Sequence, residues 1–203
     1  MQHSRFAGGL GAAVFVGLLS MAGCTQPPVP EDHFYRLSAA APAARLANPK
    51  LAGTLEMDQF AAEGLIGGRA IVYAERERPT ELKEYYYHRW VEPPNAMVRD
   101  QVATYLRAAG VANHVVTPKI RVDVDYEVIG KINRLEMINS TPRTAAMEIE
   151  VGLRRIKDRK LLLFRTYRKD VAARGDSIAA AVDAFNAALT EICAQFVADI
   201  ERM

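Results

Sequence analysis

Between Tyr85 and Trp90 the chain sets three tyrosines, a histidine, an arginine and its single tryptophan side by side, and Pro93-Pro94 follow. Those residue types could do three kinds of work. His88 could move a proton near neutral pH. Tyr and Arg could grip a partner, being enriched where interfaces gain most of their affinity. Trp and Tyr could fill a core. Strand alternation would put Tyr85, Tyr87 and Arg89 on one face and Tyr86, His88 and Trp90 on the other. The first set is then a candidate partner-binding face. On the second, Trp90 and Tyr86 cover a core, the prolines turn the chain into a helix, and Glu92 offsets the positive end of its dipole. Catalysis by His88 lacks company, since neither a nucleophile nor a carboxylate pair accompanies it in sequence. Asp123, Asp125 and Glu127 would share one strand face and carry oxygens suited to metal or acid–base work. Arg121 interrupts them, as expected of a solvated charged face. His33, His88 and His114 show no ligand spacing, and there is no CxxC. The expectation is therefore no catalytic residue, no metal and no cofactor.

Cys24 carries chemistry of another kind. The segment before it has one positive charge at Arg5, an apolar core from Phe6 to Leu19, and small residues at Ala22 and Gly23. That is the layout of a secretory signal, and the cysteine after two small residues resembles the lipobox of bacterial lipoproteins. Small neighbours let a peptidase reach the bond, the thiol takes a diacylglycerol, and the freed amine is acylated. One acyl chain holds a protein to a membrane only marginally, whereas two or more anchor it stably. A plain signal peptide with a Cys24–Cys193 disulfide is the competing reading. Cys193 falls in a long helical pattern and Cys24 precedes the Pro-rich "TQPPVPED", so nothing in the sequence brings them together. Residues 1–23 thus read as a lipoprotein signal peptide, 24–32 as a lipidated tether and 33–203 as one folded domain.

The bulk numbers agree with one domain: 203 residues, 50% hydrophobic and 25% charged. The net charge of +2 gives no electrostatic footprint for nucleic acid. No segment reaches the roughly 20 apolar residues that a spanning helix needs.

Periodicity supplies the elements that must hold these side chains. "HFYRL", "LAGTLEMDQF" and "AIVYA" read as strands, and "RPTELKE" (Arg78 to Glu84) as a charged loop. After Pro93-Pro94 the apolar spacing turns helical through Val98, Val102, Tyr105 and Ala109, with Gly110 placed to end the helix. "KIRVDVDYEV" alternates strictly and reads as the clearest strand, with Gly130 marking a bulge beyond it. Ala145 to Leu153 alternates again, "KDRK" makes a turn, and "LLLFRTYRKDV" closes a three-strand meander. A long helix from Asp176 or Ser177 to about Glu201 ends the chain. Its stripe of Ile178, Val182, Phe185, Leu189, Ile192, Phe196 and Ile200 must bury, most simply on the meander. The fold class is α+β, a largely antiparallel sheet with two main helices packed on one face.

Taken together, Cys24, "FYRL", "AIVYA", "YYYHRWVEPPNAMVRDQVATYLRAAG" and the closing amphipathic helix resemble the ABC-type transport auxiliary lipoprotein family. The "HRWVEPP" core is the most specific part, and the likeness covers nearly all of the mature chain. The family includes lipoproteins that accompany MCE-domain lipid transporters, such as the paraquat-inducible system of Gram-negative bacteria. The resemblance implies a role without a reaction. It implies an MCE-domain protein and its ABC transporter as partners, phospholipid as cargo, and a lipid anchor in the outer membrane on the periplasmic side. Thr25 fits that location, because Asp after the cysteine often retains lipoproteins at the inner membrane of enteric bacteria. A ring-shaped partner also leaves room for a homo-oligomer. The alternative function is an envelope-assembly lipoprotein that plugs or chaperones an outer-membrane β-barrel.

Overall fold

A computed structural model of the chain describes residues 30–203. The expected signal peptide, Cys24 and most of the tether lie outside the described residues. Glu31–Met203 packs as one unit.

Two helices form where the apolar spacing calls for them. Helix α1 spans Pro94–Ala109, with Pro94 in its first turn. Val98, Val102, Tyr105 and Ala109 are all buried. Gly110 ends the helix in the left-handed conformation at φ 72°, which costs glycine nothing. Arg45 then donates to the free carbonyls of Arg107 and Ala108 at 3.0 and 3.3 Å. Helix α2 spans Ile178–Glu201, and the Ser177 hydroxyl caps it by accepting from the Ala180 N–H at 3.0 Å. Every residue of its expected stripe is buried. At about 1.5–3 kcal/mol per fully buried large apolar side chain, that stripe outweighs any propensity effect in the helix.

The sheet has nine strands. They are β1 (His33–Tyr35), β2 (Leu51–Met57), β3 (Ala61–Ala62), β4 (Ala70–Glu75), β5 (Arg78–Trp90), β6 (Ala112–Val116), β7 (Tyr126–Asn139), β8 (Thr144–Arg155) and β9 (Leu161–Ala172). The fold class is α+β. The longest ladders are antiparallel: the β7–β8–β9 meander and the β4–β5 hairpin. The shorter pairings, β1 with β5, β2 with β6, and β2, β3 and β4 with β7, are parallel. Strand β7 organises the sheet. One of its edges is taken by β8 throughout, and the other is shared along its length by β2, β3 and then β4. Helix α2 packs on β8 and β9, and α1 packs on β2, β6 and α2. Ala145, Met147, Ile149, Val151 and Leu153 of β8 belong to the same core as the α2 stripe.

Three sequence readings need correction, and β6 is an addition to them. Residues 119–125 do not form a strand. Strands β6 and β7 pair with opposite edges of β2 at Leu55 and Glu56. The chain must therefore cross that strand, and a crossing segment has no ladder to join. Ile120 and Val122 stand exposed, and the backbones of Asp125 and Thr54 fasten the far end, N to O at 2.9 Å. Arg78–Glu84 is strand rather than loop, because it hydrogen-bonds to β4 as a hairpin arm. Strand β6 carried no period-two signal and was not expected. The ladder slips between Ile132 and Arg134, not at Gly130. Gly130 instead makes room for Phe60, since a Cβ there would stand 2.7 Å from that ring.

Candidate functional site

Strand β5 carries the aromatic run, with β4 on one side and β1 on the other. Its alternation does not survive the length of the strand. Val72 pairs with Glu84 while Ala70 pairs with Arg89, so β5 holds three extra residues in that interval. An odd insertion swaps the two faces of a strand. The even spacing that would align Tyr85 with Tyr87 and Arg89 is thereby lost.

Tyr85 turns inward. Its ring lies 4.4 Å from that of Tyr73, and its hydroxyl donates to Asn139 Oδ1 at 3.2 Å. Asn139 donates in turn to Glu75 Oε1 at 3.2 Å, and Arg143 donates to the Tyr85 hydroxyl at 3.5 Å. Burial pushes the Tyr85 phenol above its usual pKa. His88 joins the same aromatic cluster. It meets Tyr85 edge-on at 5.6 Å, stacks on His33 at 4.9 Å, and pairs through Nδ1 with the Tyr35 hydroxyl at 2.9 Å. Burial first, then the charges of His33 and Arg143, hold its pKa below the ordinary value. Its contacts with His33 and Tyr35 hold β1 on β5.

Trp90 is 1% exposed and meets Phe185 of α2 edge-to-face at 5.8 Å. It is the core anchor the sequence suggested. Tyr86, expected beside it, is 84% exposed. The extra residues in β5 turn it outward.

The outward side of this region is aromatic and cationic. Leu65, Tyr73, Leu82, Tyr85, Tyr86 and Arg89 line a shallow groove of about 400 Å³. Tyr87 is exposed but stands outside the groove. Phe34 of β1, 54% exposed, is the register partner of Arg89, and the Arg69 guanidinium lies 5.9 Å from its ring centre. Of the expected contact residues, the structure brings Tyr85 and Arg89 to one groove and leaves Tyr87 beside it. Strand register sets Phe34 opposite Arg89, and the segment before β4 brings Leu65 to the groove and Arg69 to Phe34, which no local sequence pattern announces.

The remaining candidates do not gather into one site. The Asp125 carboxylate accepts from the Thr54 N–H at 2.8 Å, Glu127 pairs with Arg154, and Asp123 is exposed. His114 stands apart on β6. Among the described residues, no three His, Cys, Asp or Glu side chains converge on a point that could hold a metal ion. Cys193 is fully enclosed in the core, and burial pushes its thiol up to about 12.

Residues 35–197 match the family model described as the ABC-type transport auxiliary lipoprotein component. No curated protein matches the chain. Among solved structures, a DUF330 protein from Xanthomonas campestris superposes with a TM-score of 0.71 at 22% identity, over 81% of this chain and 92% of its own. A second, uncharacterised protein gives 0.68 at 13% identity, over 84% and 99%. At these identities the two structures show a shared fold.

Proposed function

The chain belongs to the ABC-type transport auxiliary lipoprotein family, and we propose that it is the lipid-anchored docking component of an MCE-type phospholipid transporter. In this reading Cys24 carries the acyl chains and holds the domain at the periplasmic face of the outer membrane of a Gram-negative bacterium. The family match over residues 35–197 carries the reading, and the lipobox-like residues ahead of it support it. The physical need for such a component is plain. Each CH₂ of a lipid tail costs about 0.8 kcal/mol to expose to water, so a transporter must hand lipid over at the far membrane without a gap. The surface around Tyr85, Tyr86, Tyr87 and Arg89 is the contact face of the domain in this reading. No catalytic residue enters the account.

Crosslinking in cells followed by purification of the lipoprotein tests it. The expected result is recovery of an MCE-domain protein together with ABC transporter subunits. Recovery of an outer-membrane β-barrel in their place would replace this function with an envelope-assembly role.

A further inference from the structure

We infer that the exposed aromatic and arginine surface of β1 and β5 rests on anionic lipid headgroups of the membrane that holds the anchor. The inference builds on the lipoprotein reading above and names the component that this surface meets.

Three observations carry it. The first is chemical. Phe34 and Tyr86 present large exposed rings, with Tyr87 beside them. Arg69 lies over the Phe34 ring, Arg89 is the register partner of Phe34, Arg36 is exposed just after β1, and none of the three forms an ion pair among the described residues. Arg69 and Arg89 are the charges placed at Phe34, and in the neighbouring groove Lys83 and Glu84 offset each other. Amphipathic rings settle at headgroup depth, and each cation near an anionic surface strengthens binding about fivefold.

The second observation is the place of the patch in the chain. Strand β1 begins at His33, directly after the tether. The chain from Cys24 to His33 reaches at most about 30 Å fully extended. A domain of this size has a radius of gyration of about 16 Å, so its surface cannot roam far from the bilayer at the β1 end. Strand β9 forms the opposite edge along the path β1–β5–β4–β7–β8–β9, roughly 24 Å away at five strand spacings.

The third observation is rigidity. The His33–His88 stack and the Tyr35–His88 hydrogen bond pin the three-residue β1 to β5. The strand that leads to the anchor and the strand that carries Tyr86 therefore move as one piece.

The test uses the full lipoprotein in vesicles. Tyr86→Cys takes a fluorophore selectively, because the native Cys193 thiol is enclosed. Phe164→Cys on β9 is the control, exposed and at the other edge. In phosphatidylcholine–phosphatidylglycerol vesicles carrying a nitroxide lipid, the label at 86 should be strongly quenched and the label at 164 weakly. Vesicles of phosphatidylcholine alone, or Arg36→Glu with Arg89→Glu, should bring position 86 down to the level of 164. Equal quenching at both positions overturns the proposal, as does quenching at 86 that ignores phosphatidylglycerol. So does a label at 86 that stays free in vesicles and becomes shielded only when the MCE-domain protein is added. Flotation separates the two readings. A chain that floats with vesicles but leaves position 86 unquenched sinks this proposal alone, whereas a chain that does not float sinks the anchored reading and this one with it.

Discussion

His88 sits where a proton costs stability. It lies against His33, Tyr35 and Tyr85, with the positive charge of Arg143 nearby. Its folded pKa is depressed below the ordinary 6.5, so the unfolded chain binds the proton more readily. The contribution of neutral His88 is complete above about 6.5 and is lost as pH falls through that value toward the folded one. Thermal unfolding should therefore move to lower temperature across that window. His88→Gln should flatten that part of the profile, and a variant that keeps the wild-type profile would place the proton uptake elsewhere. Trp90 makes the complementary case of an aromatic wholly committed to the core. Trp90→Ala should cost about 3–5 kcal/mol in denaturant unfolding, as deletion of a buried aromatic does. An unchanged unfolding midpoint would show that the contact with Phe185 contributes little.

At the scale of elements, pattern was legible where an element could satisfy it locally. Both helices, the turn between β8 and β9, and the buried set of β8 follow directly from spacing. Helix α1 even ends at its expected glycine. Pattern failed where a neighbour decides. Ile120, Val122 and Val124 alternate as well as any strand, yet the segment spends its length crossing β2. Ile120→Asp and Val122→Asp should then change stability by less than about 0.5 kcal/mol, the range for surface positions. Val128→Asp, two residues into the true strand and fully buried, should unfold the domain. Destabilisation of the Ile120 and Val122 variants comparable to that of Val128→Asp would show that the crossing segment packs as a strand after all. The candidate site failed in the same way. Trp90 was readable because a lone tryptophan before a helix has one economical place to go. Tyr86 was not, because the face it shows depends on three extra residues that only the pairing of β5 with β4 reveals.

Across the described domain, the long meander with α2 supplies a stiff body, while β1 joins it through one short parallel pairing with the β4–β5 hairpin. That division separates stability from contact. The core runs from the α2 stripe through β8 to β7 and Trp90. The exposed rings at Phe34, Tyr86 and Tyr87 lie outside it, on β5 and on β1, the strand that leads toward Cys24. In the proposed reading the domain is a body held at a membrane, with its β1 end turned to it. The anchor is thus the central claim, and mass spectrometry of the mature protein from membranes tests it most directly. The account predicts an amino-terminal peptide beginning at Cys24 and carrying both a diacylglyceryl thioether and an acylated amine. An unmodified terminus, or one that begins at another residue, would contradict it.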